Sequence, residues 1–283
     1  MELHATPQEV MRAVETLQEF ARAQGLPEKT IFGLALTLEE CGSNIVSHAL
    51  QQDARQKFQV VIEHNDDSFV IELRDRGPAF DPTQTAERKS QADDDDLPGG
   101  WGIQLVRRYT DEVRYTREGG ENVLRLMKRL GEADSLNQFA DKNQTKRTKT
   151  KTDMPLEIQI QKSIGGQNPG AVTVKLTGSL DTATAPDLER QLAPVLVPQG
   201  GIKDLVFDLA QLKFISSAGL RVFATARKQL KERGGQASFV HLQPQIQEVF
   251  EIMKSLPGVA VFKDVAEMDR YLAARQRSYT ENK

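Results

Sequence analysis

The chain has 283 residues, a formal net charge of −3 and a single cysteine, Cys41. This length predicts two domains of ordinary size, and the slightly acidic charge gives no indication of direct nucleic-acid binding. One cysteine excludes an internal disulfide and a cysteine-based metal cluster, and we expect Cys41 to be a small core residue. Because no apolar run has the length of a signal peptide or a membrane-spanning helix, we expect a soluble, cytoplasmic protein that does not bind a membrane.

The first predicted element that carries chemistry is a helix from Ile31 to Leu50. Its apolar residues recur with a period of 3.6, and Glu40, Asn44 and His48 follow one another at intervals of four along the edge of the apolar face. Carboxylate and amide oxygens at such a boundary are suitable ligands for Mg²⁺ and neighbours for phosphate. A helix with an ordinary polar face would give the same pattern, and this alternative stays open.

The strand that follows, from Phe69 to Asp75, ends in a carboxylate. Strict alternation places Asp75 on the same face as Phe69 and Leu73, so the charge comes at the end of an apolar row. A buried carboxylate needs a hydrogen-bond donor, and an adenine amino group is a good one. Gly77 allows a tight backbone path or the close approach of a ligand. A turn between two elements, without a ligand, is the alternative interpretation.

A polar segment with an acidic run from Asp93 to Asp96 separates this strand from the next helix. Gly99, Gly100 and Gly102 open that helix, which we predict from Ile103 to Tyr109. Backbone N–H groups at the start of a helix bind phosphate, and glycine hinges beside a long polar loop suit a lid. We therefore predict a lid from Thr83 to Pro98. The alternative is that the glycines only mark the end of an ordinary loop.

The second half of the chain alternates between predicted strands and helices. The strands are predicted at residues 172–176, 205–209 and 237–242, and the helices at 185–196, 217–233, 244–255 and 265–274. This alternation predicts βαβ units. Ser216 and Ser217 lie at a turn from strand to helix, where a serine is either a helix cap or a hydroxyl available for modification. Between the halves, residues 131–154 are polar and rich in lysine, which predicts a flexible linker.

The order and spacing of the first-half motifs resemble the anti-sigma-factor serine kinases of the GHKL (gyrase, heat-shock, histidine-kinase, mismatch-repair) ATPase superfamily, over roughly residues 5–130. The resemblance implies ATP and Mg²⁺ as cofactors. It implies Glu40 as the catalytic base, Asn44 as the Mg²⁺ ligand and Asp75 as the residue that binds the adenine amino group. The remaining residues implied for the nucleotide pocket and its rim are His48, Gly77, Ala79, Gly99, Gly100, Gly102 and Ile103.

The second half resembles a STAS (sulfate transporter and anti-sigma-factor antagonist) domain, over roughly residues 155–276. The segments that carry the resemblance are Leu176–Asp181, the strand ending at Asp208, and Phe214–Leu220. The resemblance implies Ser217 as the phosphoacceptor, with Asp181 and Asp208 nearby. Such antagonists often have Asp before the acceptor and Ser after it, whereas this chain has Ser216 and Ala218, so Ser216 remains the alternative acceptor.

The resulting prediction is a two-domain α/β protein. It has a GHKL-type α/β sandwich with a mixed sheet (1–130), a linker (131–154) and a STAS-type βαβ domain (155–283). We hypothesise a bacterial partner-switching regulator that phosphorylates its own antagonist-type domain and thereby controls a sigma factor or similar protein. Separate kinase, antagonist or phosphatase proteins are further candidate partners, and so is a second copy of this chain in a homodimer.

Two alternatives to self-phosphorylation stay open. The chain could be a non-catalytic, nucleotide-binding scaffold whose STAS domain docks on the kinase face, or a kinase for a separate antagonist. For self-phosphorylation we expect the Ser217 hydroxyl to be exposed. We also expect its phosphate to be repelled by Asp181 and Asp208.

Overall fold

The computed structural model describes residues 1–82, 101–131, 156–162, 171–197, 202–253, 260–262 and residue 267. These residues form two compact units, one on each side of the predicted linker. The predicted lid, Gly99, Gly100 and nearly all of the predicted linker lie outside the described residues. The exact domain boundaries therefore stay a prediction.

In the described residues, the first unit is an antiparallel sheet with three α-helices. Its elements are β1 (Glu2–His4), α1 (Pro7–Ala23), α2 (Glu28–Asn44), β2 (Lys57–Asn65), β3 (Ser68–Asp75), α3 (Trp101–Tyr109), β4 (Glu112–Glu118) and β5 (Glu121–Arg129). The strand order is β1-β2-β3-β5-β4, and every described pair is antiparallel. The core forms because Phe58 and Val60 of β2, with Phe69, Ile71 and Leu73 of β3, alternate onto one buried face.

Helix α2 does not continue as an α-helix to Leu50. It ends at Asn44 and is followed by a π-helical turn from Ile45 to Ala49. A π turn has more residues per turn than an α-helix, so the interval of four that aligns Glu40 with Asn44 does not extend to His48. The prediction of one continuous stripe was therefore wrong at His48, whose side chain is exposed.

The second unit is a mixed sheet with helical connections. Its elements are β6 (Glu157–Lys162), β7 (Val172–Leu180), α4 (Ala185–Leu192), β8 (Asp204–Ile215), α5 (Ser217–Lys231), β9 (Gln236–Val240), α6 (Pro244–Met253) and β10 (Ala260–Phe262). The order is β10-β9-β8-β7-β6, with β6 antiparallel to β7 and the other pairs parallel. The α/β fold class is confirmed, whereas the helix predicted at 265–274 lies outside the described residues except for residue 267.

Strand β8 is longer than the predicted strand at 205–209. It continues to Ile215, beside Leu180 at the end of β7, after register shifts along β7 between Lys175 and Thr177 and between Gly178 and Ser179. This extension brings the start of α5 to the end of β7.

None of the helices in the described part of the chain combines the length and the apolar character needed to cross a membrane. The described residues also contain no group of three or more His, Cys, Asp or Glu side chains that could hold a metal ion.

Candidate functional site

Glu40 lies against the beginning of α3. The residue is only 3% exposed, and a Cβ atom on Gly102 would collide with Glu40 Oε2. Any side chain at position 102 would therefore force the Glu40 carboxylate to move from its present position. Because the N-terminal end of a helix carries partial positive charge, this position suits a carboxylate. The structure thus brings together two of the predicted site residues, Glu40 and Gly102.

Asp75 is the centre of a buried hydrogen-bond network at the end of β3. Its Oδ1 accepts a hydrogen bond from the Gly77 N–H at 2.8 Å and one from the Asn122 Nδ2 at 2.9 Å. Asp75 is 7% exposed, and among the described residues no hydrogen bond uses its Oδ2. One carboxylate oxygen is therefore fixed by the protein, and the other can accept a hydrogen bond from a ligand.

Asn122 was not among the predicted site residues. It pairs with Asp75 across β5 and β3 and is itself fixed, because its Oδ1 accepts hydrogen bonds from Tyr115 Oη at 2.7 Å and from Arg117 Nη1. Arg117 also donates to the Gly77 carbonyl at 3.0 Å. In the sequence, Asn122 lies two residues after Gly120 of a glycine turn, and no sequence motif marks it as a buried residue. Its alternation with Leu124 and Leu126 along β5 was the available indication.

Gly77 is required by a close approach of the backbone. A Cβ atom at this position would lie 2.7 Å from Ala49 Cβ and 2.8 Å from Ala49 O, both in the π turn. The turn after Asp75 thus packs directly on the π turn that follows α2. Ala79, which we placed at the pocket rim, is exposed.

An apolar cavity of about 190 Å³ lies between α2, α3 and the strands β4 and β5. Ile103 contributes to its wall, and the other lining residues are Cys41, Pro82, Val106, Arg107, Val113, Leu124 and Leu126. The assignment of Ile103 to a nucleotide pocket stays a prediction. Burial raises the pKa of the Cys41 thiol, and the neighbouring Glu40 and Glu39 raise it further. Cys41 is therefore a neutral apolar wall residue, as expected from the sequence.

The serine pair is buried rather than exposed. Ser216 donates its backbone N–H to Leu180 O at 3.0 Å, and a Cβ atom on Gly219 would come within 2.6 Å of Leu180 Cγ. This tight packing of α5 on the end of β7 leaves Ser216 at 0% and Ser217 at 3% exposure. The prediction of an exposed Ser217 hydroxyl was therefore wrong.

The two acidic residues expected near the acceptor occupy different places. Asp181 directly follows Leu180, and its Oδ1 accepts hydrogen bonds within its own turn, from the Ala183 N–H at 2.9 Å and from the N–H and hydroxyl of Thr184. Burial raises the pKa of the Asp181 carboxyl. Asp208, by contrast, pairs with Lys175, five residues before the end of β7, and contacts His241 Nδ1 at 2.9 Å. The structure does not bring Asp208 to the serines.

Both halves match known families. Residues 3–128 match the family model described as the histidine kinase-like ATPase domain, and residues 166–268 match that of the STAS domain. The first half is 29% identical over 127 residues to "Serine/threonine-protein kinase BtrW" of Bordetella bronchiseptica, with 44% of this chain and 89% of the relative covered.

Two antagonists are similar to the second half. It is 40% identical over 83 residues to "Putative anti-sigma factor antagonist BtrV" of the same bacterium, with 29% of this chain and 70% of the relative covered. It is also 33% identical over 86 residues to the "Anti-sigma-B factor antagonist" of Bacillus subtilis, with 30% and 76% covered. The two resemblances inferred from the motifs are confirmed, and the halves of this chain are similar to two different proteins of one bacterium.

Proposed function

Because this chain belongs to the STAS family of anti-sigma factor antagonists through its second half and carries a histidine kinase-like ATPase domain in its first, we propose that it is a Mg²⁺- and ATP-dependent serine kinase of partner switching. The observation that carries the proposal is the geometry of Asp75. Its Oδ1 is held by Gly77 and Asn122, and its Oδ2 is left to accept a hydrogen bond at the end of an apolar strand face.

The described residues suit a nucleotide. Asp75 Oδ2 would accept a hydrogen bond from the adenine amino group at the end of the apolar face of β3. The side-chain oxygen of Asn44, one turn after Glu40, would be a ligand of Mg²⁺. The start of α3 at Gly102 would offer N–H groups to phosphate. Bound Mg-ATP supplies the phosphoryl group.

Glu40 is the proposed general base. Its carboxylate would accept the proton of the serine hydroxyl as the hydroxyl oxygen attacks, and the close packing of Gly102 holds that carboxylate in place. This role is mainly one of position, since phosphoryl transfer depends on alignment and on stabilisation of charge.

The proposed acceptor is Ser217, with Ser216 as the alternative. Because the acceptor is buried, the hydroxyl must become accessible before transfer. The proposed consequence is a change in binding to an anti-sigma factor, a sigma factor or a similar regulatory protein. The scaffold reading and a kinase acting on a separate antagonist remain the competing proposals.

Intact-mass measurement followed by peptide mapping tests the proposal. Incubation of the full chain with Mg-ATP should add one phosphoryl group at Ser217, and neither Glu40→Gln nor Ser217→Ala should be labelled to a comparable extent. Mapping to Ser216 would move the acceptor by one residue. Binding of ATP with no phosphate on either serine would overturn self-phosphorylation. In that case, labelling of an added antagonist would favour the separate-substrate reading, and its absence would favour the scaffold.

A further inference from the structure

An arginine reaches back to the candidate acceptor from the next turn of the same helix. Arg221 Nη2 donates to Ser217 Oγ at 3.3 Å, and the two residues are four positions apart on α5. Side chains on a helix tilt toward its N-terminus, so an arginine at this spacing lies beside the first turn. Ser217 is buried whereas Arg221 is exposed, so a cation borders the solvent side of the hydroxyl.

Ser216 supplies a second, independent observation at the same place. It is the N-cap residue of α5, yet its side chain makes no capping hydrogen bond. Its Oγ is fully buried and has no hydrogen-bond partner among the described residues. A serine at this position normally accepts a hydrogen bond from a first-turn N–H, and buried hydroxyl groups are normally satisfied. This hydroxyl is therefore available to a group that enters the first turn of α5.

We propose that the start of α5 is a phosphate-binding site in which the Arg221 guanidinium, the Ser216 hydroxyl and first-turn N–H groups hold a phosphoryl group carried by Ser217. Guanidinium groups form short, charge-assisted and often bidentate hydrogen bonds to phosphate. The start of a helix adds N–H donors and a favourable dipole. The proposal rests on the proposed function only for the origin of the phosphate, not for the way it is held.

The sequence led us to expect that Asp181 and Asp208 would repel a phosphate on Ser217, and their positions in the structure do not support such repulsion. Asp181 directs Oδ1 into its own turn, toward Ala183 and Thr184, and Asp208 lies beside His241, farther along the sheet. Arg221 places a cation in hydrogen-bond contact with Ser217 Oγ. Phosphorylation would therefore replace a weak contact between arginine and hydroxyl by an ion pair, and the phosphate would stay folded onto α5.

The test uses the full chain with phosphoserine incorporated at position 217 during translation, so that no kinase activity is needed. A ³¹P NMR titration measures the second pKa of the phosphate, which is about 6 in the absence of partners. The pairing should lower it by about half a unit or more. Arg221→Gln should return it toward about 6, and Arg221→Lys should keep part of the shift. Arg190→Gln removes an exposed arginine of the same unit, bound to Asp187, and should leave the titration unchanged.

Equal titrations of the Arg221→Gln and parent phosphoproteins would overturn the proposal, and so would an equal effect of Arg190→Gln. Should Arg221→Gln fold poorly, Ser216→Ala makes the same comparison. Loss of this donor should raise the second pKa of the phosphate, and an unchanged pKa in Ser216→Ala would also overturn the site. Failure of Mg-ATP to label Ser217 would speak against the proposed kinase reaction alone, because the incorporated phosphoserine still reports on Arg221.

Discussion

At the residue scale, the network around Asp75 makes one substitution especially informative. In Asp75→Asn, the side-chain oxygen can keep the hydrogen bonds from Gly77 and Asn122, so the fold should be preserved. The new amide group would then face the ligand and present a donor to the adenine amino donor. We expect ATP affinity measured by calorimetry to fall at least about tenfold, or about 1.4 kcal/mol.

Asp66→Asn is the matched control for this measurement. Asp66 is an exposed residue of the turn between β2 and β3, so its replacement makes the same chemical change away from the network. Equal ATP affinity in Asp75→Asn, Asp66→Asn and the parent would remove Asp75 from the nucleotide site. A folded Asp75→Asn protein with weakened binding would support the assignment of Oδ2 to the ligand.

Residue identity alone indicates part of the candidate site but not all of it. Glu40, Asp75 and Gly102 could be chosen from the sequence, because a carboxylate at an apolar boundary and a glycine at a helix start are visible in the pattern. Asn122 and Arg221 could not, because their importance comes from contacts made by folding. Asn122 meets Asp75 across two strands, and Arg221 meets Ser217 only after α5 is formed.

At the scale of elements, the contact between α2 and α3 is made at a glycine, Gly102, which has no side chain. Gly102→Ala favours helix formation by itself, by about 1 kcal/mol. Its Cβ would nevertheless collide with Glu40 Oε2, so the carboxylate must move. We expect the rate of phosphoryl transfer in a single turnover to fall about tenfold or more, which corresponds to about 1.4 kcal/mol in the barrier.

Arg108→Ala serves as the control on the same helix. Arg108 is exposed, and its replacement also introduces alanine without adding a contact to Glu40. Circular dichroism checks that the Gly102→Ala protein is folded. If the folded variant transfers phosphate as fast as Arg108→Ala, the packing of Gly102 does not position Glu40.

Helices and strands were predicted well where the spacing of hydrophobic residues determines them. They were predicted poorly where contacts with segments distant in the chain determine them. The strands β3 and β7 and the helix α5 follow from their patterns. The π turn after Asn44 does not, and its residue Ala49 lies against Gly77, which is distant in the chain. The extension of β8 to Ile215 likewise depends on pairing with β7. The spacing of hydrophobic residues within one segment does not show which strand that segment pairs with.

At the scale of the whole molecule, the proposed reaction has a kinetic signature. Residues 131–154 are predicted from their composition to be a flexible linker, and a flexible chain of that length spans roughly 25–30 Å. A linked substrate domain would be present at an effective concentration of the order of millimolar. We therefore predict that the first-order rate constant of self-labelling stays the same when the protein is diluted about a hundredfold from the micromolar range.

A mixture of two inactive variants provides the complementary measurement. Glu40→Gln keeps the acceptor and lacks the proposed base, whereas Ser217→Ala keeps the base and lacks the acceptor. Little phosphate should appear on the Glu40→Gln chain in the mixture if transfer occurs within one chain. Labelling of that chain at the parent rate, or a rate that falls in proportion to dilution, would contradict the intrachain route and indicate transfer between copies.

The contrast between the two sheets has a consequence for the order in which the chain folds. Two pairings of the first sheet, β2 with β3 and β4 with β5, are tight hairpins, and Gly119 and Gly120 adopt φ values of 59° and 84° in the second of these turns. Parallel neighbours such as β7 and β8 must instead close a long crossover, which slows folding. During synthesis from the N-terminus, we expect the ATPase half to fold while the serine that it would modify is still part of an unfinished domain.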